Sequence, residues 1–481
     1  MDIFTGPWIP VAPHGTRTCV TYLDLMAGRH EDAREIAHPI PEMRAWARML
    51  LGALSQAVCP RDDADALGDA LRHPVDVRVP PEWDRNRTLF DSPTGRFMQP
   101  ASPDPARRVE HGTALVVFEE STTYGNTRTG RRSFQHPRRI EALCASCAVI
   151  ATFGVQSVAP QGGRGYSPSV CGTGRFTTLP VWPTLRASAH AATLTARRVA
   201  EGPWREAPQD APPWAYRRAS LPGDAISLLE GLFWTPRTLR WVEAPDGLCP
   251  LCGSVGARAR IEEFAAGSRV LGGFWPCPWT PWRENPKTGE QWHVMTPTRP
   301  GWVELGGAVA SVGATHVAPV VEQHTHDLGA TTVELLLYGV RFDQTKWRGT
   351  LGERATLHVA HAPRAERLAA CADAALRALH AALRQGSPLQ SSDGTIDYTF
   401  WRETEEAFHA ALTSPTLDVF ERTVRRTIWD LFRGATRMLA THPSHAERVA
   451  VSRNTLDRGL RRAFRDPSPL RPAPTEDTHT P

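Results

Sequence analysis

The chain carries two Cys-x-x-Cys pairs, Cys144-Ala-Ser-Cys147 and Cys249-Pro-Leu-Cys252. In each pair the two-residue gap lets both sulfurs face one point, and Gly253 after the second pair suits a tight turn. Thiolates are ligands that zinc favours, and four of them close a tetrahedron. A shared structural zinc on Cys144, Cys147, Cys249 and Cys252 is therefore expected. Reduced packing cysteines and a redox dithiol are the other uses such pairs have. A closed four-sulfur site keeps no open position for a substrate, so this centre reads as a staple and not as a place of catalysis. The remaining cysteines, Cys19, Cys59, Cys171, Cys277 and Cys371, are expected as small buried apolar residues.

Other polar patterns carry less chemistry. Gly162-Gly163-Arg164-Gly165 lies inside a Gly- and Ser-rich stretch running from 159 to 174. Glycine lets backbone approach another surface closely, and an arginine in the run suits a nucleic-acid backbone; a plain loop is the alternative. Arg341-Phe-Asp-Gln-Thr-Lys346 reads as an exposed hairpin tip. Residues 121–139 form a long, arginine-rich stretch without periodicity. His324-Thr-His326, with His316 nearby, is expected on a surface loop, since no acidic partner at metal-ligand spacing joins it. No Walker A, dinucleotide fingerprint or nucleophile elbow occurs.

These groups need a frame. At 481 residues and 41% hydrophobic content the chain has enough material for two or three domains and a large core. The formal charge of +4 gives no strong pull toward nucleic acid, yet lysine occurs only at 287 and 346, so arginine supplies almost all positive charge. Met1-Asp-Ile-Phe-Thr-Gly-Pro-Trp-Ile-Pro lacks a secretory pattern, and no apolar run suits a bilayer; a soluble cytoplasmic protein is expected. Residues 1–363 read as a large mixed α/β domain, with a helix over Pro41 to Val58 and strands at Leu115–Phe118, Thr332–Tyr338 and Ala355–Val359. The last two strands bracket a polar connection from Arg341 to Gly352. The Trp-rich runs around Trp234, Trp275 and Trp282 read as core. Residues 364–466 show four amphipathic helical patterns with short connections, an antiparallel four-helix bundle. Residues 467–481 form a Pro-rich tail expected to be disordered. The fold class is thus α+β, a zinc-stapled mixed domain followed by a helical bundle.

The order of several short motifs resembles the CasA family, the large subunit of Cascade in type I-E CRISPR systems. Trp8-Ile-Pro-Val11 fits the family start, and Arg96-Phe-Met-Gln99 fits a motif ending in Phe-Met-Gln. Ala142-Leu-Cys-x-x-Cys147 fits the first cysteine pair, and Ala159-Pro160 leads into the glycine loop. Gly231-Leu-Phe-Trp-x-Pro236 precedes the second pair and Gly273-Phe-Trp-Pro-x-Pro278 follows it.

The resemblance implies a non-catalytic subunit that works with a guide RNA, double-stranded target DNA and the backbone, small and guide-end subunits of Cascade. Such a subunit recognises the protospacer-adjacent motif, nucleates strand separation and R-loop formation, and recruits the helicase-nuclease. Asp343-Gln344-Thr345 resembles the family wedge, with Gln344 matching its glutamine. Gly162, Gly163, Arg164 and Gly165 would lie along the minor groove, where readout is coarse. The stretch 121–139, with Tyr124 and Asn126, falls where the family engages the guide RNA handle. The family's motif-reading lysine has no counterpart: Ala266 or Gly267 falls there, with Arg269 close by. A zinc-containing scaffold or a zinc hydrolase unrelated to CRISPR is the rival reading.

Overall fold

In the computed structural model, the described residues are 1–84, 86–90, 96–99, 108–109, 140–158, 167–205, 212, 214–215, 220–264, 269–343, 346–386 and 394–465. They divide into two compact units. The first holds residues 1–297 and 313–356, and the second holds residues 298–312 with the chain from 357 onward.

The first unit is built around two buried helices. Proline at the first position starts the helix Pro41–Val58, where its missing N–H costs nothing. The expected apolar positions Met43, Trp46, Met49, Leu50 and Leu54 are all fully buried. The helix Ala145–Val158 is apolar on every side and buried from Ser146 to Val158, as a core helix must be. The two helices pack on each other, and Trp46 Nε1 donates to the Tyr338 hydroxyl at 2.7 Å.

Strands wrap this pair in small sheets. Thr332–Asp343 lies between Lys346–His358 and Phe176–Pro180, antiparallel to the latter with Leu336 opposite Leu179. A second sheet centres on Val255–Phe264, which pairs along one edge with Thr238–Leu248. Its other edge takes the two-residue strands Leu143–Cys144 and Arg108–Val109.

Several expectations change here. The hairpin strands run through the stretch read as a polar connection, leaving only residues 344–345 between them. Along the second strand Leu351 and Leu357 are buried while Gly352, Arg354 and Thr356 are exposed, so its polar residues are one face of a strand and not a loop. That strand stops at His358, and Val359 begins a 3₁₀ turn. His324 and His326 sit on the helix Pro319–His326 and not on a loop; His324 is buried and its Nε2–H donates to the Ala191 carbonyl at 3.0 Å. Cys59, Cys171, Cys277 and Cys371 are buried as expected, whereas Cys19 is half-buried. Trp234 and Trp275 are core, and Trp282 is half-buried with its ring stacked on His316 at 3.8 Å. The strand expected at Leu115–Phe118 and the tail 467–481 lie outside the described residues.

The second unit is helical. Ala362–Gly386, Thr395–Thr413, Asp418–Ala440 and Pro443–Arg465 pack on one another, the first against all three others. Leu368, Leu379, Phe400, Phe408, Val424, Ile428, Leu456 and Leu460 form its core. A short segment tucks in beside them: Trp302 packs against Trp401 and Phe408, and Gly307 N–H donates to Glu366 Oε1 at 2.6 Å. Arg299 forms ion pairs with Glu304 and Asp373.

Candidate metal centre

The four expected cysteines meet at one point. Their Sγ atoms all lie within 4.8 Å of one another, and Cys144 and Cys252 are 3.6 Å apart. With Zn–S bonds of ~2.3 Å, a tetrahedron has edges of about 3.8 Å, so the cluster is the size a tetrathiolate zinc needs.

Local structure explains how each sulfur arrives. Cys144 ends the short strand Leu143–Cys144, paired with Arg258 on the neighbouring strand. Cys147 lies in the first turn of the buried helix, whose N-terminal dipole favours a thiolate. Cys249 and Cys252 sit at the tip of the hairpin formed by Thr238–Leu248 and Val255–Phe264. There Cys249 N–H donates to Ser254 O at 2.7 Å, and Gly253 N–H donates to Cys249 O at 2.9 Å. Gly253 takes φ +77°, a left-handed conformation that glycine enters without strain. The centre therefore ties the start of the core helix to the tip of the hairpin.

Crowding splits the sulfurs electrostatically. Cys249 is held near pKa 6, chiefly through hydrogen bonding with Cys144 and then with Cys147. Cys252 is lowered further for the same reason. Cys147 is pushed well up, first by its hydrogen bond with Cys144. At Cys144 the hydrogen bond with Cys147 pulls downward but is outweighed by Cys249, Cys252 and burial. A divalent cation would need the sulfurs as thiolates, so its binding would release their protons.

Groups outside the cysteine pattern complete the surroundings. Ser254 Oγ lies 3.1 Å from Cys252 Sγ, and Arg17 Nη1 donates to the Cys252 carbonyl at 2.7 Å. His38 Nε2 lies 3.4 Å from Cys147 Sγ. Sequence spacing gives no signal for Arg17 or His38, because each reaches the centre across more than a hundred positions of chain.

The short motifs turn out to frame this centre. Ser146 Oγ donates to the Trp8 carbonyl at 2.6 Å, which joins the opening motif to the helix bearing Cys147. Arg96 Nη1 donates to the Trp241 carbonyl at 3.0 Å, and Gln99 Oε1 accepts the Trp241 N–H at 2.8 Å. Both grip the strand that leads to Cys249. Gly231 and Trp275, from the two motifs flanking the second cysteine pair, touch: a Cβ on Gly231 would lie 2.0 Å from the Trp275 ring.

Comparison with known proteins shows the family. The sequence model of the family described as CRISPR-associated protein Cse1 matches residues 2–435. This chain belongs to the Cse1 family. Its fold matches that of Thermus thermophilus CasA (Cse1) with a TM-score of 0.66 at 17% identity, covering 96% of this chain and 100% of that one. Thermobifida fusca Cse1 matches with a TM-score of 0.65 at 15% identity, over 96% and 97% of the two chains. A chain of a structure described as a CRISPR RNA-guided surveillance complex gives 0.67 at 14% identity, over 95% and 99%.

The sequence reading also names candidate residues away from the cysteines. Arg269 lies on the short strand Arg269–Val270, paired in parallel with Ser220–Leu221. Asp343 ends the strand Thr332–Asp343. Tyr124, Asn126, Gly162, Gly163, Arg164, Gly165, Gln344 and Thr345 lie outside the described residues. Among the described residues, no helix is long and apolar enough to cross a membrane.

Proposed function

We propose that this Cse1-family chain is the non-catalytic large subunit of a type I-E Cascade complex. It recognises the protospacer-adjacent motif in duplex DNA, nucleates strand separation and R-loop formation, and recruits the helicase-nuclease. The family match over residues 2–435 carries this reading, because it spans both compact units and not one motif. The fold likeness to a chain of an RNA-guided surveillance complex supports a place beside guide RNA and other subunits.

The long hairpin Thr332–Asp343 and Lys346–His358 suits a wedge. A two-stranded arm could press its tip, with Asp343, Gln344 and Thr345, between base pairs. Unstacking one step costs a few kcal/mol, which contacts to the opened end must offset. Gly162, Gly163, Arg164 and Gly165 are assigned to the minor groove, with Arg269 in the place of the family lysine. Tyr124 and Asn126 are assigned to the guide RNA handle. Base pairing reads the target while the protein reads the short tag.

Zinc on Cys144, Cys147, Cys249 and Cys252 would act as a structural staple, because four cysteines fill its coordination sphere. Residues 1–363 would form the recognition domain, and residues 364–466 a four-helix bundle facing the small subunits and the displaced strand. Arg453, Arg458, Arg461, Arg462 and Arg465 are exposed on the last helix and suit that contact.

The decisive experiment binds guide-loaded complex to duplexes with randomised tags, with and without this subunit. Tag-dependent binding that appears only with the subunit is the expected result. Equal binding without it would remove the recognition role.

A further inference from the structure

His38 stands outside every motif considered above, yet it is buried and points at a metal-centre sulfur. Its surroundings fix which ring nitrogen carries the proton. The backbone N–H of Ile40 donates to His38 Nδ1 at 3.1 Å, so Nδ1 offers a lone pair there. In a neutral ring the hydrogen must then sit on Nε2, the atom 3.4 Å from Cys147 Sγ. Nε2 is therefore the donor and the sulfur the acceptor.

The segment is built to hold this ring still. Pro39 and Pro41 flank Ile40, so two of three consecutive φ angles are locked, and Pro41 opens the core helix. Upstream, Ala37 N–H donates to the Pro10 carbonyl at 2.7 Å. On the other side, Cys147 is fully buried within its helix. Four thiolates around one divalent cation leave a net charge of about −2, which a buried sulfur cannot share with water. Cys252 has Ser254 beside it and is half-exposed. For Cys147, the donor side chain at hand is His38.

The geometry points to His38 as a positioning residue of the metal centre, donating Nε2–H to the metal-bound sulfur of Cys147 and so spreading its charge. This rests on the reading of the four cysteines as a metal site. It makes the segment Ala37–Pro41 part of the centre, although it supplies no ligand. Outer donors of this kind typically change metal affinity by about 10- to 100-fold.

The test uses the full chain with zinc or cobalt(II). His38→Phe keeps a ring but has no donor, whereas His38→Gln places an amide N–H near the position of Nε2. A chelator should strip metal from the Phe variant at about 10- to 100-fold lower concentration than from the unaltered protein. Its sulfur-to-cobalt charge-transfer band should move to lower energy, because an undonated thiolate gives up its electron more readily. The Gln variant should recover both. A folded Phe variant with unaltered affinity and band position would reduce His38 to packing. If the Phe variant does not fold, the unaltered protein labelled with ¹⁵N-histidine decides: a proton on Nε2 supports the assignment and a proton on Nδ1 overturns it. Unaltered protein that takes up neither metal removes the underlying metal reading as well, an outcome distinct from a metal-binding protein indifferent to His38.

Discussion

Gln99 and Trp241 are joined through backbone: the Gln99 side-chain oxygen accepts the Trp241 N–H at 2.8 Å. The same amide uses its NH₂ to donate to the Leu89 carbonyl at 3.0 Å. Gln99 is buried, so both bonds are made away from water. A motif residue that carries the family resemblance here clips the strand leading to Cys249.

Gln99→Leu should therefore destabilise the first unit by about 2 kcal/mol, because a buried N–H loses its acceptor. Urea unfolding followed by tryptophan fluorescence checks this. A loss under 0.5 kcal/mol, on the order of a surface substitution, would mean that water or a shifted backbone satisfies Trp241.

Gly231 meets Trp275 with no room for a side chain, the Cβ position lying 2.0 Å from the ring. Gly231→Ala should cost about 3 kcal/mol through overpacking. Gly253 has the opposite problem, with φ +77° and nothing within 4 Å. Gly253→Ala should cost about 1 kcal/mol through backbone strain alone. Thermal unfolding of the two variants side by side distinguishes a crowded glycine from a strained one; equal losses would contradict the assignment.

How much of this was legible in the sequence depended on the length and regularity of each element. The helix Pro41–Val58 has both a proline start and a complete apolar face, so its bounds could be read directly. The four cysteines were legible because ligand spacing is a chemical constraint. The strand Leu143–Cys144 has two residues and no period to detect, so only the neighbouring strand reveals it. The hairpin reads short because the polar face of Lys346–His358 imitates a loop. His324 reads as exposed because a helix of eight residues shows little periodicity, and the Ala191 carbonyl that accepts its hydrogen bond is remote in sequence. His38 was invisible for the same reason.

Acid should weaken the first unit through its buried histidines. Burial lowers His190 and His293 to about pKa 3 and His324 to about 4. Each is neutral in the folded protein and titrates near 6.5 when unfolded. Below pH 6.5 the unfolded chain binds more protons, so stability falls as pH drops and is lost progressively toward pH 4 to 3. Between pH 6.5 and 5 the loss should be about 2 kcal/mol per histidine. Urea unfolding at the two pH values should show this, and His324→Gln should flatten the dependence by one histidine's share. An unchanged slope in that variant would mean His324 titrates freely in the folded state.

Replacing Cys144 and Cys249 with serine removes one sulfur from each side of the centre. Zinc content and unfolding temperature should fall together, since binding energy at a structural site is folding energy. Metal analysis with a thermal melt measures both on one sample. Unaltered protein purified without zinc, yet as stable as protein reconstituted with it, would end the staple reading.

The wedge makes the sharpest functional prediction. In sequence, Gln344 lies between the strands Thr332–Asp343 and Lys346–His358, the position the wedge proposal assigns to it. A tip that holds base pairs apart acts after the tag is bound. Gln344→Ala should therefore slow R-loop formation in the assembled complex while leaving guide loading and tag binding near normal. Deleting residues 121–139 should do the reverse, impairing docking onto guide-loaded complex before any DNA is met. Strand opening read by a fluorescent base, alongside a docking assay, separates the two. Unchanged opening with Gln344→Ala would remove the wedge role and leave the hairpin as scaffold.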